Sequence, residues 1–212
     1  MRALILAAGL GSRLKDNTKN IPKALVKVNG VPIIEYQIKE LYAPLISSSL
    51  HEFINELSTD SPAPGGGSVS AFAGALGGAL TAMVANLSIG KKKYDDQYEQ
   101  MCSISQKSQV LKDSLLLLID EDTNSFNNVL YAYKLAKQTK KQIAYREKEI
   151  DIAIKNACNP PFDTLRYCCD VADLTLEIID NCNENAISDV GVSAEMAYAG
   201  AKGALLNIFI NL

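Results

Sequence analysis

The chain has no tryptophan, one histidine, and no Cys-x-x-Cys spacing among its five cysteines. An odd cysteine count without paired spacing gives no disulfide framework, and Met1 is not followed by a basic and then apolar leader, so reduced thiols in the cytoplasm are expected. A basic excess is also missing: net charge −3 and pI ≈ 5.3 supply no field to draw in phosphate backbones, which sets nucleic acid aside as a partner. What is present is an Ala- and Leu-rich composition, 48% hydrophobic, 21% charged and 7% aromatic, which speaks against disorder and favours helices. At 212 residues the chain can bury a core without disulfide or metal, in one or two domains.

Charge is absent from Ser61 to Gly90, and Lys91, Lys92 and Lys93 follow this stretch in the manner of a membrane anchor. Within it, however, Val69, Phe72, Leu76, Leu80, Met83, Val84 and Leu87 form one large-residue stripe, with Ala71, Gly74, Ala75 and Gly78 elsewhere. Such asymmetry suits a central bundle helix, the bulky stripe facing one layer and the small residues admitting another backbone, and no membrane partner is expected.

Sign and pattern both change near residue 45. Residues 1–45 carry seven basic against three acidic residues, +4, leaving −7 for the remainder. Ala3–Ala8 reads as a buried strand entering a turn at Gly9 and Gly11, and Ile33–Leu41 as a helix. From Leu50 onward five to six segments have helical period. The expected architecture is an all-α multi-helix bundle at 46–212, preceded by a short βα fragment at 1–45.

The fragment LILAAGLGSRL…PKALVKVNGVPIIEYQI, about residues 1–42, resembles the opening of the sugar-phosphate and cytidylyl nucleotidyltransferase family. The resemblance implies that Gly9 and Gly11 hold a nucleotide while Arg13 and Lys23 contact its phosphates. The later strands and the metal-holding aspartate of that family are missing, so inactivity is expected.

In the helical part, His51 lies between Leu50 and Phe53 at a helix start with no indicated partner, and is read as solvated. Ser61-Pro-Ala-Pro-Gly-Gly-Gly-Ser68 leads into a helix, with Ser68 as N-cap, and offers free N–H groups and a positive dipole end to an anion or carbonyl. Two carboxylates lie on apolar lines stepped by three or four. Asp122 follows Met101, Ile104, Ser108, Leu111, Leu115 and Leu118 and precedes Phe126, Val129 and Tyr133; Asp189 precedes Val192, Met196, Ala199, Gly203, Leu206 and Ile210, with Ser188 as N-cap. A carboxylate on a buried line must be paired, hydrogen-bonded or neutral, and displaced acids of this kind transfer protons.

The blocks PAPGGGSVSAFAGALGGALTAMVANLSIGKKKY, LIDEDTNSFNNVLYAYKL and NAISDVGVSAEMAYAGAKGALLNIFINL resemble the formiminotransferase-cyclodeaminase C-terminal domain family across about 48–212. That resemblance implies an all-helical, dimeric enzyme acting on a tetrahydrofolate derivative. It would release ammonia from 5-formiminotetrahydrofolate to form 5,10-methenyltetrahydrofolate, or act as a methenyltetrahydrofolate cyclohydrolase, with no metal or redox cofactor. In this reading Asp122 and Asp189 are acid and base, Gly65, Gly66, Gly67 and Ser68 bind the substrate, and Lys91, Lys92 and Lys93 attract its glutamate tail. Nucleotidyl transfer and a non-catalytic interaction module are the competing expectations.

Overall fold

The computed structural model describes residues 45–211 and the backbone of 27–28 and 31–32. The chain divides into two compact units, Met1–Ser48 and Ser49–Leu212. In the first, β1 (Lys27–Val28) pairs antiparallel with β2 (Val31–Pro32), Lys27 opposite Pro32 and Val28 opposite Val31. The intervening Asn29-Gly30 is the strongest short hairpin signal. A 3-10 turn at Leu45–Ser47 follows. The expected strand at Ala3–Ala8, the helix at Ile33–Leu41 and the candidates Gly9, Gly11, Arg13 and Lys23 lie outside the described residues.

The second unit is a bundle of six helices: α1 (Leu50–Leu57), α2 (Gly66–Ser88), α3 (Tyr98–Lys134), α4 (Lys140–Ala157), α5 (Asn159–Ile178) and α6 (Ile187–Asn211). Their boundaries have local causes. Ser49 and Glu52 form a reciprocal capping box on α1, Thr139 and Gln142 form another on α4, and Pro160 and Pro161 sit in the first turn of α5, where missing N–H groups cost nothing. Beyond the end of α2, Gly90 takes φ 76°, a left-handed conformation that favours glycine. His51 lies in the first turn of α1 and is exposed, as expected.

Helix α2 is the centre, packed by α3, α5 and α6. By length and composition it would suffice to cross a membrane, yet 61% of its most apolar window is buried inside the bundle. Its small residues admit the neighbouring backbones as expected, while most of the bulky stripe meets no layer of this chain. The small residues Ala71, Gly74, Ala75, Gly78, Ala82 and Ala85 are buried, whereas Val69, Leu76, Met83 and Leu87 of the bulky stripe are exposed and only Val84 is fully covered. Backbone proximity is the reason. A Cβ on Gly77 would stand 3.0 Å from the Ser193 carbonyl oxygen, and one on Gly200 would stand 2.8 Å from that of Ser70 and 3.0 Å from the Gly74 nitrogen. The buried Cys168 thiol fills the notch between Gly74 and Gly200.

Helix α6 is displaced by one position. Its buried line is Val190, Ser193, Ala197, Gly200 and Ala204, while Val192, Leu206 and Ile210 of the expected line are exposed. Ser193 Oγ donates to the Gly77 carbonyl at 2.7 Å and meets Thr81 Oγ1 at 2.7 Å and Thr175 Oγ1 at 3.1 Å, a buried hydroxyl cluster joining α2, α5 and α6. Deeper along α2, Val84, Met101, Ile104 and Ile178 make the apolar core, each contributing ~1.5–3 kcal/mol by burial. All five cysteines are free.

Candidate active site

The first turn of α2 has N–H groups without helical acceptors. The N-cap is Gly65, extended and without a side-chain bond, so Ser68 is not the cap that the sequence suggested. It is the third residue of the helix, wholly buried, and its hydroxyl reaches across to α3. Ser68 Oγ lies 3.0 Å from Asp122 Oδ2, 3.1 Å from Thr123 Oγ1 and 3.1 Å from the Ile119 carbonyl oxygen. The Ser68 backbone N–H also faces the Asp122 carboxylate.

Gly67 permits this approach, because any Cβ there would coincide with the Asp122 carboxylate. On the other side, a Cβ on Gly66 would stand 3.3 Å from Asn207 Nδ2 of α6, whose own bond is to the Gly203 carbonyl at 2.9 Å. Ser70 Oγ donates to the Gly66 carbonyl at 2.6 Å. Burial pushes the Asp122 carboxyl above the ordinary carboxylate range, and the Ser68 hydroxyl and N–H pull it back in part. An acid so placed holds its proton to higher pH than a solvated carboxyl does and still releases it, the property of a general acid–base group.

The expected residues separate into two groups. Gly65, Gly66, Gly67, Ser68 and Asp122 meet at the start of α2. Gly66 is exposed there, whereas Gly67 and Ser68 are buried and turned to Asp122. Lys91, Lys92 and Lys93 are exposed beyond the other end of α2, and Lys93 Nζ pairs with Glu184 Oε1 at 2.7 Å beside a pocket of about 380 Å³ lined by Tyr94, Gln97 and Ile179. Asp189 belongs to that second end. It is half-buried in the first turn of α6, and Ser188 is the second helical residue rather than a cap.

Helices α2 and α6 run antiparallel, Gly203 opposite Ser70, Gly200 opposite Gly74 and Ser193 opposite Gly77, with Val190 joining Val84 in the core. From Ser68 to Val84 the helix rises about 24 Å. One chain therefore does not bring Asp122 and Asp189 together. A groove of about 550 Å³ between α3 and α5, lined by Lys107, Val110, Asp170 and Asp173, holds none of the expected residues. No group of three or more His, Cys, Asp or Glu suited to a metal occurs among the described residues.

Thr123, the Ile119 carbonyl and Asn207 were not anticipated. Thr123 follows a singled-out residue, but Ser68 and Asp122 are 54 positions apart, and no spacing rule links them.

The sequence profile described as formiminotransferase-cyclodeaminase matches residues 49–212, and that of the nucleotidyl transferases matches residues 2–54. A methenyltetrahydrofolate cyclohydrolase from Methylorubrum extorquens is 38% identical over 165 residues, which cover 78% of this chain and 79% of that protein. A formimidoyltransferase-cyclodeaminase from Rattus norvegicus is 30% identical over 182 residues, 85% of this chain but 34% of that longer protein. The crystal structure of formiminotetrahydrofolate cyclodeaminase from Thermotoga maritima aligns with TM-score 0.70 at 30% identity over 78% of each chain. At the N-terminus, a choline-phosphate cytidylyltransferase from Streptococcus pneumoniae is 66% identical over 41 residues, 19% of this chain and 18% of that protein.

Proposed function

The chain belongs to the formiminotransferase-cyclodeaminase family over residues 49–212, and from that premise we propose that it is a cytoplasmic folate one-carbon enzyme in which Asp122 transfers the proton. The substrate is a tetrahydrofolate derivative whose one-carbon unit bridges, or comes to bridge, N5 and N10. In cyclodeamination N10 attacks the formimino carbon, and the tetrahedral adduct expels ammonia once its nitrogen is protonated and the N10 proton removed. Hydrolysis of the methenyl bridge passes through a related tetrahedral carbon. A single carboxyl that gives and takes a proton serves either direction.

The observation that carries this reading is the Asp122 carboxyl, half-buried against the α2 N-terminus and raised in pKa by burial. The test is to supply 5-formiminotetrahydrofolate and follow methenyltetrahydrofolate by absorbance together with free ammonia, then to supply methenyltetrahydrofolate and follow its loss. Turnover in neither assay would reject the reading.

The enzyme acts as a homodimer. Val69, Leu76, Met83 and Leu87 form an exposed apolar line along the central helix, and a symmetric partner would cover it. A two-fold axis crossing α2 near its middle runs the two copies antiparallel, which sets the Asp122 end of one chain beside the Lys91, Lys92, Lys93 and Asp189 end of its partner. The lysines then attract the glutamate tail, and Asp189 enters the site from across the interface. Residues 1–45, with Gly9, Gly11, Arg13 and Lys23, transfer no nucleotide, since the matched stretch is 18% of the cytidylyltransferase it resembles.

A further inference from the structure

Gly67 and Ser68 were expected to hold substrate, yet Ser68 is wholly buried and the Asp122 carboxylate covers the space beside Gly67. The Ser68 side chain and the space beside Gly67 are therefore taken up by Asp122. We infer that Gly67 and Ser68 are positioning residues for Asp122: the glycine lets the carboxyl lie against the first turn of α2, and the Ser68 hydroxyl turns to match whichever protonation state Asp122 holds. This inference rests on the reading of Asp122 as the proton-transfer group.

A count of donors and acceptors gives the reason. The Ser68 hydroxyl has one proton and two lone pairs, and three oxygens surround it at 3.0–3.1 Å. The Ile119 carbonyl can only accept. When Asp122 is ionised it too can only accept, so the Ser68 proton points to Oδ2 and the Thr123 hydroxyl donates into Ser68. When Asp122 is protonated its own O–H donates to Ser68, Thr123 still donates, and the Ser68 proton swings to the Ile119 carbonyl. Every hydroxyl proton has an acceptor in both states. Asp122 can thus alternate between acid and base without stranding a buried polar group.

The surroundings leave this rotation as the principal polar control. From α2 the Ser68 hydroxyl and N–H face the carboxyl, and α6 brings the neutral Asn207 to the same turn. On α3 itself Asp120 and Glu121 precede Asp122, but no formal charge among the described residues contributes to its shift.

The test uses the full chain labelled with 13C-carboxyl aspartate, with the Asp122 resonance identified by its loss in Asp122→Asn. The ionised carboxylate loses a charge-assisted bond in Ser68→Ala, so its midpoint is expected to rise by about one pH unit, and the pH profile of kcat to move with it while KM is unchanged. Thr123→Val removes the donor that polarises the Ser68 hydroxyl toward the ionised carboxylate and that competes with the Asp122 proton for the Ser68 lone pairs, so a smaller rise is expected, which Thr123→Ser reverses. An Asp122 midpoint in Ser68→Ala equal to that of the parent overturns the inference, as does a raised KM with kcat and midpoint unchanged. If Ser68→Ala does not fold, the Thr123→Val and Thr123→Ser titrations decide by the same criterion. The resonance reports independently of turnover: full activity in Asp122→Asn would remove the catalytic reading and leave the positioning result standing.

Discussion

The carboxylate of Asp122 occupies the space that a side chain on Gly67 would fill. It is held there by Ser68 from one helix and buried by the bundle, and burial raises its pKa above the unfolded value of about 4. The native state therefore binds this proton more tightly than the unfolded chain. Its stabilising contribution is complete below pH about 4 and is lost as pH rises through the native midpoint. Asp122→Asn, which carries no charge, should melt above the parent at pH 7, and the gap should close as the pH falls toward 4. Melting curves across that window check the sign, and a variant that loses stability most at neutral pH would contradict it.

Glycine at the helix crossing supports a second prediction. A Cβ at Gly200 would stand 2.7 Å from Cys168 Sγ and 2.8 Å from the Ser70 carbonyl oxygen, and backbone cannot yield as a flexible side chain can. Gly200→Ala should cost about 1–3 kcal/mol, the usual range for overpacking, visible as a lower urea midpoint. An unchanged midpoint would show that α2 and α6 separate more easily than their contacts indicate.

These contacts also explain which features the sequence disclosed. The line from Met101 to Leu118 on α3 is mostly buried and delivers Asp122 correctly, because large side chains make that contact and hydropathy weighs large side chains, but its continuation at Phe126 and Tyr133 is exposed. On α6 the contact is made by Ser193, Ala197, Gly200 and Ala204, so the bulkier residues one position away drew the line off phase and took Asp189 with them. On α2 the small residues admit neighbouring backbones as expected, and the bulky stripe is left largely exposed. Ser68 could be recognised as part of a helix start, but not as the partner of Asp122, since that meeting depends on how two helices cross.

The exposed line Val69, Leu76, Met83 and Leu87 leads to a third prediction. Light scattering at micromolar concentration should give a dimer, and Leu76→Glu together with Met83→Glu should shift it toward monomer and lower turnover. Asp189→Asn should lower turnover while leaving the dimer intact. A parent protein that is monomeric and fully active would contradict the shared site.

The N-terminal stretch matches 18% of a cytidylyltransferase and lies in a separate compact unit. Calorimetry with CTP and magnesium should detect no tight binding by the full chain, and Arg13→Ala with Lys23→Ala should leave folate turnover unchanged. Tight, magnesium-dependent binding abolished by those substitutions would restore a nucleotide function.

The central claim is that Asp122 transfers the proton at the bridging folate carbon. Its most direct measurement is the turnover of Asp122→Asn with 5-formiminotetrahydrofolate and with methenyltetrahydrofolate, alongside its circular dichroism. Loss of a general acid or base lowers rate by ~10²–10⁴, and that loss in whichever reaction the parent performs, with helicity retained, is the expected result. Turnover near the parent rate in a folded Asp122→Asn would contradict the account.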